Sequence, residues 1–209
     1  MPLRTENELS EPLRSHWRKA AAAIELRNFG YAISLLQEIL KQEPEFLQAR
    51  QLLRRAEISR WKTEKKSFFN ISTSLFSIMK AQRQAGKDPT HAIEMIEKVL
   101  EREPYHRQAN LVLKDAAMAA GWPELGVFAL RTLLEANPRD TGILHALGRL
   151  YHELGESDSE GEIYHRISVI DPSDAEAVRL GRDAAAQGSM KTGRWTTNPT
   201  SSGSREREI

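Results

Sequence analysis

Apolar residues recur at helical spacing in four runs of the chain, and each run is followed by a proline. The runs are AISLLQEIL, AIEMIEKVL, VFALRTLL and EIYHRISVI, and the prolines are Pro44, Pro104, Pro138 and Pro172. Apolar side chains three and four residues apart form one face of an α-helix. Because proline stops a helix and fits the first turn of the next one, the pattern predicts a series of separate amphipathic helices.

A second helical segment precedes each run, and a short turn lies between the two. The turns share a glycine, at Gly30, Gly86, Gly121 and Gly155. Glycine adopts without strain the left-handed conformation that ends many helices. The predicted unit is thus helix, turn, helix and proline. Since Pro104, Pro138 and Pro172 are 34 residues apart, the unit repeats at a fixed period.

This helical hairpin resembles the tetratricopeptide repeat (TPR). In the last copy, Leu147-Gly148 and Tyr151 stand where the family has Leu-Gly and Tyr, and Tyr164 stands at its second aromatic position. Glu160 departs from the family, which prefers alanine there, and we expect it to loosen the hairpin slightly. The resemblance implies an all-α fold, a right-handed α-solenoid of stacked helix-turn-helix repeats with a terminal capping helix.

The repeats do not fill the chain evenly. From Pro44 to Pro104 is 60 residues, eight short of two periods, so this interval holds one repeat and a single additional helix. We expect a flexible N-terminus over 1–11 and a disordered tail over 188–209. The repeat domain, 12–187, is predicted to contain repeats at about 13–46, 73–106, 107–140 and 141–174, a remnant helix in 47–72, and a capping helix at 174–187 with Ser173 as its N-cap.

The stretch KKSFFNISTSLFSIMK, residues 65–80, is aromatic and rich in hydroxyl groups. The repeat register predicts a first helix here, with Phe76 and Met79 on its packing face. Phe68 and Phe69 are predicted to fill the joint between this helix and the remnant helix. An extended strand is the alternative, since Ile, Thr and Phe favour strands, but no partner strand is evident in the sequence.

Composition limits the classes of protein that the chain can belong to. Charged residues make up 28% of the sequence and nearly cancel, to a formal net charge of +1, so no overall field attracts nucleic acid or anionic lipid. There are no cysteines. The N-terminus lacks the apolar core of a secretory signal, and the longest uncharged run, 67–79, is too short and too polar for a membrane span. We therefore expect a cytoplasmic protein.

The sequence contains residue types that serve in catalytic and metal sites, but their spacing does not match the known motifs of such sites. His145 and His152 are seven residues apart, about 10.5 Å along a helix, too far for one metal ion with bonds near 2 Å. The sequence has no HExxH, GxGxxG, Walker-type loop or GxSxG elbow. We predict no enzyme activity, no cofactor, no metal and no small-molecule substrate.

Stacked repeats of this family leave a concave surface lined mainly by the first helix of each hairpin. The resemblance therefore implies a non-catalytic adaptor or scaffold that binds a segment of another protein in this groove. The register turns the following residues into it: Arg14, Trp17, Ala21, Ile24, Ser74, Ser77, Ala81, Leu111, Asp115, Met118, His145, Arg149 and His152. Trp17, Leu111 and Met118 are expected to make apolar contacts, and Arg149 to pair with a carboxylate. The paired lysines and asparagines with which some members hold a C-terminal carboxylate are missing.

Two alternatives remain open at this point. The first is a structural module that self-associates through the Phe68-Phe69 edge. The second is a weak nucleic-acid contact through residues 54–66, RRAEISRWKTEKK, where basic side chains surround Trp61. A solvated helix face with Trp61 packed at the joint explains the same run without a ligand.

Overall fold

The structure, a computed structural model, describes residues 6–63 and 71–191. In these residues the regular structure is entirely helical and contains no strand. A 3-10 turn at Glu6–Glu8 precedes the α-helices, which are α1 (Glu11–Glu25), α2 (Phe29–Gln42), α3 (Leu47–Thr63), α4 (Ile71–Gln84), α5 (Pro89–Leu100), α6 (Arg107–Ala120), α7 (Pro123–Ala136), α8 (Thr141–Glu153), α9 (Ser157–Ile170) and α10 (Ala175–Lys191).

These helices form the predicted hairpins. Helix α1 packs on α2, α4 on α5, and α6 on α7, while α3 follows α2 as a single helix. The second helix of one repeat also packs on the helix that follows it, as α2 does on α3 and α5 does on α6. Helix α10 packs on α9, in the position of the predicted capping helix. The predicted all-α fold of stacked helix-turn-helix repeats is therefore confirmed.

The ends of the helices are set by turn residues and polar caps. Gly121 and Gly155 have φ angles of 75° and 69°, the left-handed conformation expected of them. In the first hairpin, Arg27 and not Gly30 takes this conformation, with φ 56°. Gly30 lies inside α2, and no positive φ occurs at Gly86. The glycine rule thus holds for the two C-terminal hairpins and fails for the two N-terminal ones.

Each repeat-ending proline stops a helix but does not enter the next one, which corrects the prediction. Helices α3, α6, α8 and α10 all begin after a short turn that follows the proline. A polar residue between the proline and the helix caps three of them. His106 accepts a hydrogen bond from the Ala109 N–H, Asp140 from Ile143, and Asp174 from Ala177.

The cap of α10 is therefore Asp174 and not the predicted Ser173, whose hydroxyl donates to Asp171.

The described residues divide into two compact units, one up to Ile143 and one from Leu144 onward. The first unit has two apolar cores. One is formed by α1, α2 and α3 around Leu36 and Phe46, and the other by α4 to α7 around Ile96 and Leu113. In the second unit, Tyr164 is the largest fully buried side chain. Each unit thus buries apolar side chains of its own.

Helix α4 corrects the predicted packing face. Phe76 and Met79 are exposed, Phe76 by 72%, while the residues turned inward are Ile78, Ala81 and Ala85. Ala81, which the register placed in the groove, is fully buried. The small Ala81 and Ala85 side chains allow α5 and α6 to approach, and both helices pack on α4.

Both ends of the predicted domain also differ from the structure. Leu9 is buried in the first core, although residues 1–11 were expected to be flexible. At the other end, α10 continues to Lys191, whereas the capping helix was expected to stop at 187. The predictions for Phe68, Phe69 and the tail beyond 191 fall outside the described residues. Within 6–63 and 71–191, no helix combines the length and the hydropathy that crossing a membrane requires.

Candidate functional site

Two of the predicted groove residues of α1, Trp17 and Ile24, contribute to the first core. The Trp17 ring lies 5.1 Å from the ring of Phe46, centroid to centroid, and both Trp17 and Ile24 are partly buried against that core. Phe46 is fully buried. Trp17 therefore stabilises the packing of α1 on the start of α3, whatever it contacts on its outer edge.

The three predicted residues of α6 share its outer face. Leu111 and Met118 are half-buried, and Asp115 is exposed and forms an ion pair with its neighbour Lys114. They are spaced four and three residues apart, as the residues of one helical stripe are. The structure thus places a carboxylate between two apolar side chains on this face of α6.

On α8, two of the three predicted residues already have internal partners. His145 Nε2 lies 2.7 Å from Asp174 Oδ2, and the Ala177 N–H together with the His145 ring lowers the pKa of Asp174. The same Asp174 caps α10, so His145 links α8 to the start of the capping helix. This histidine stabilises the fold of the second unit, which agrees with its low exposure.

His152 is paired with the residue that departs from the repeat family. Its Nδ1 lies 3.1 Å from both carboxyl oxygens of Glu160, whose side chain is buried in the hairpin of α8 and α9. A buried carboxyl group is costly unless it is hydrogen-bonded. The expected loosening by Glu160 is therefore offset by His152, and the pair acts as a unit.

Arg149, the third predicted residue of α8, has a more distant internal partner than the two histidines have. Its side chain is 58% exposed, and the nearest carboxylate oxygen, Glu176 Oε1, is 3.9 Å away. That separation is longer than a hydrogen bond. The Arg149 side chain is therefore more than half exposed to solvent, with no carboxylate at hydrogen-bond distance among the described ion pairs.

Sequence reasoning missed a buried ion network between α3 and α5. Arg50 and Arg54 both donate to Glu97, at 3.2 Å and 2.7 Å, and all three side chains are largely buried. Arg50 also donates to the Pro44 carbonyl oxygen and lies 5.8 Å from the Trp122 ring centroid. These contacts join α3 to α5 and to the start of α7.

The network takes up part of the basic run that suggested nucleic acid. Arg54 is bonded to Glu97, and Arg60 donates to Glu101 at 3.2 Å. Trp61 packs edge-on against Tyr105, with ring centroids 5.6 Å apart. Arg55 and Lys62 are exposed, while Lys65 and Lys66 lie outside the described residues. Trp61 thus packs on Tyr105, between α5 and α6, while the joint itself lies outside the described residues.

Glu57 is a buried acidic residue of this network, and its pKa is raised. Its side chain is 1% exposed, and neither carboxyl oxygen accepts a hydrogen bond within the described part of the chain, although Arg54 Nη1 lies 3.2 Å from Oε2. Burial raises the pKa of Glu57 from 4.5 to about 8, with Glu97 and Glu101 contributing and Arg54 opposing. Glu57 is therefore protonated in the folded protein at neutral pH.

This raised pKa predicts a pH-dependent stability that Glu57→Gln should remove. Between pH 4.5 and about 8 the folded state keeps a proton that the unfolded state releases, so the free energy of unfolding falls as pH rises. The maximum slope is about 1.4 kcal/mol per pH unit. Urea unfolding of both proteins at pH 5 and pH 8 measures this. We expect equal stability at pH 5 and a more stable variant at pH 8; parallel pH profiles would contradict the assignment.

No group of three or more histidines and acidic residues suited to a metal ion occurs within the described ranges. A comparison with known protein families finds no match, and neither does a comparison with curated proteins. Comparison with solved structures finds helical repeats.

The first TPR of Spaghetti (RPAP3), bound to the HSP90 peptide SRMEEVD, is 15% identical with a TM-score of 0.46, over 56% of this chain and 94% of that one. A crystal structure of MamA protein is 16% identical with a TM-score of 0.37, over 90% of this chain and 97% of that one. A second MamA structure is 17% identical with a TM-score of 0.37, over 83% of this chain and 96% of that one.

Because these TM-scores are below 0.5, the class of the fold rests on the chain's own hairpins. The hairpins recur at the 34-residue period of the TPR, and in the last one Gly148 lies against the Tyr164 ring, at two positions that the family pattern specifies. The chain is a helical repeat protein whose hairpins resemble the TPR.

Proposed function

We propose that this chain is a non-catalytic, cytoplasmic adaptor or scaffold that binds segments of other proteins on the outer faces of its first helices. The observation that carries the proposal is the exposed Arg149 guanidinium, held on α8 between two histidines that have internal partners. A planar guanidinium with free donors suits a carboxylate, which it can bind with two hydrogen bonds.

The outer face of α6 supports the same function. Leu111 and Met118 are half-buried, so they present apolar surface without being part of the core, and Asp115 lies between them. Apolar anchors with a polar group that sets the orientation are typical of peptide-binding surfaces. We propose that this face by itself offers apolar contacts to a partner protein.

Reversing the charge of Arg149 should weaken partner binding. We expect Arg149→Glu to reduce the recovery of crosslinked partners from a native lysate by about tenfold, a loss of about 1.4 kcal/mol. The measurement is affinity capture with the full chain, quantified by mass spectrometry for each captured protein.

The matched control is Arg182→Glu, which reverses an exposed arginine on α10 of the same unit. It should leave the captured set unchanged. If Arg149→Glu also leaves that set unchanged while its circular dichroism stays helical, Arg149 does not bind the partner.

Sedimentation velocity at tens of micromolar tests the self-association alternative. If the chain is an adaptor, we expect it to sediment as a monomer.

A further inference from the structure

Helix α4 exposes an apolar face with a basic end. Seven large apolar side chains are exposed in the described part of the chain, and three of them, Leu75, Phe76 and Met79, lie on this helix. Lys80 and Arg83 follow on the same side, and Lys87 lies in the turn after the helix. None of these three cations forms an ion pair within the described residues. Exposed apolar clusters of this kind mark interaction sites.

The next repeat shows what normally covers this face. One period later, the positions of Leu75, Phe76 and Met79 are occupied by residues of α6 that are all fully buried: Ala109, Asn110 and Leu113. Helix α6 is covered by α5, the second helix of the preceding repeat, and by α7. Helix α4 packs on α5 and α6. Within 6–63 and 71–191, only the single helix α3 lies between α2 and α4, because the chain is eight residues short of two full repeats there.

The series of repeats therefore lacks one second helix before α4 within the described residues. The second helices that fill the corresponding place elsewhere in this unit are α2 and α5, which have 14 and 12 residues. An occupant of this face is thus an α-helix of similar length with an apolar stripe. The family-like residues Phe76 and Met79 have the chemistry of a packing face, and among the described residues no helix covers their side chains, which are 72% and 54% exposed.

We propose that the α4 face formed by Leu75, Phe76, Met79, Lys80 and Arg83 binds an acidic amphipathic helix of another protein. Apolar residues of that helix would pack on Phe76 and Met79, and its carboxylates would pair with Lys80 and Arg83. The chemistry selects an acidic partner because Arg83 stands where the next repeat has the small Ala117, and because α4 contains no acidic residue.

A second copy of this chain fits the face less well. Two α4 helices would bring basic residues together with no carboxylate of their own to neutralise them. The face also shares no residue with those on which the proposed function rests, so each proposal can fail without the other.

The test is selection from a displayed library of 14-residue amphipathic helices, in two halves that differ only in having Glu or Lys at the polar positions. The full-length chain should enrich the Glu half at least tenfold over the Lys half. The double variant Phe76→Ser/Met79→Ser should lose this enrichment. The double variant Lys80→Glu/Arg83→Glu should transfer it to the Lys half, an inversion that a merely destabilised protein does not produce.

Two control variants separate this surface from others. Val169→Ser removes an equally exposed apolar side chain, 68% exposed on α9, and should leave the enrichment unchanged. Arg149→Glu should also leave it unchanged. Because the substituted α4 side chains are exposed, the melting temperature of each variant should stay within a few degrees of the parent chain.

Several results would overturn the proposal. One is equal enrichment of both halves, and another is enrichment that charge reversal does not move. Binding to phosphatidylserine vesicles that requires Phe76, without peptide enrichment, would assign the face to a membrane surface. A dimer in sedimentation that Phe76→Ser disperses would assign it to a second copy of this chain.

Discussion

Replacing Glu97 by glutamine should lower the free energy of unfolding by about 3–5 kcal/mol, because two buried arginines lose their shared counter-charge. Glu97 Oε1 accepts from Arg50 and Oε2 from Arg54, and both guanidinium groups are nearly inaccessible to solvent. Neither arginine can recover hydration without separating α3 from α5. Urea unfolding at pH 7, followed by circular dichroism, measures the loss.

The matched control for this prediction is Glu94→Gln. Glu94 lies on the same helix, has the same chemistry and is 61% exposed beside His91. Exposed pairs contribute about 0–1 kcal/mol, so this variant should be close to the parent chain. If Glu97→Gln costs no more than Glu94→Gln, the network does not hold α3 against α5.

A second variant distinguishes loss of the network from loss of packing. The combination Arg50→Met, Arg54→Met and Glu97→Leu removes the charges together and keeps side-chain volume. Replacing a buried ion network by apolar residues is often neutral or stabilising. We therefore expect the triple variant to recover most of the stability that Glu97→Gln loses, whereas additive losses would indicate that each side chain acts alone.

The approximate positions of the turns between helices were predictable because proline and glycine act locally, although two of the four turn glycines did not take the expected conformation. The ion network between α3 and α5 was not predictable from the sequence. Arg50, Arg54 and Glu57 lie on one helix and resemble a solvated face unless the opposing helix is known. Their spacing held a usable signal, since they lie on the same side as the apolar Leu53 and Ala56. A charged group among core positions needs a buried partner, because an unpaired buried charge is costly.

The prediction of the packing face of α4 was wrong for a different reason. Leu75, Phe76, Ile78 and Met79 place apolar side chains around much of the helix, so periodicity alone does not choose a face. The repeat register chose Phe76 and Met79, which would be correct if a second helix preceded α4. The spacing from Pro44 to Pro104 already showed that eight residues were missing before α4. This deficit indicated that no complete second helix could precede α4 and cover Phe76 and Met79.

The compensation between His152 and Glu160 also depends on the hairpin. The two residues are eight apart in sequence, across the turn between α8 and α9, and neither is unusual by itself. Only the antiparallel register of the two helices brings the imidazole to the buried carboxyl group. A departure from a family pattern was visible in the sequence, but its partner was not.

The second large effect is expected at Gly148. A Cβ atom added there would lie 2.8 Å from Tyr164 Cζ and 3.1 Å from both Cε atoms, closer than packed atoms allow. Tyr164 is 1% exposed, with the His145 ring 5.9 Å away, so its ring has no free space to move into. Overpacking of this kind typically costs about 1–3 kcal/mol, which should exceed the gain of about 1 kcal/mol in helix propensity.

Gly161→Ala is the matched control, because it makes the same change in the neighbouring helix of the same unit. Its Cβ would meet only Ala184 Cβ, at an ordinary 3.8 Å. This variant should therefore be stabilised by about 0.5–1 kcal/mol. Thermal unfolding of the two variants gives opposite shifts if the close approach of α8 to Tyr164 is real, and parallel shifts if it is not.

The double variant Gly148→Ala/Tyr164→Leu tests the contact directly. Tyr164→Leu alone should destabilise the second unit by leaving a cavity. Combined with Gly148→Ala, the added methyl group enters the space that the ring vacates, so the double variant should lose less stability than the sum of the single variants. Simple additivity would mean that Gly148 is required for a reason other than the Tyr164 ring.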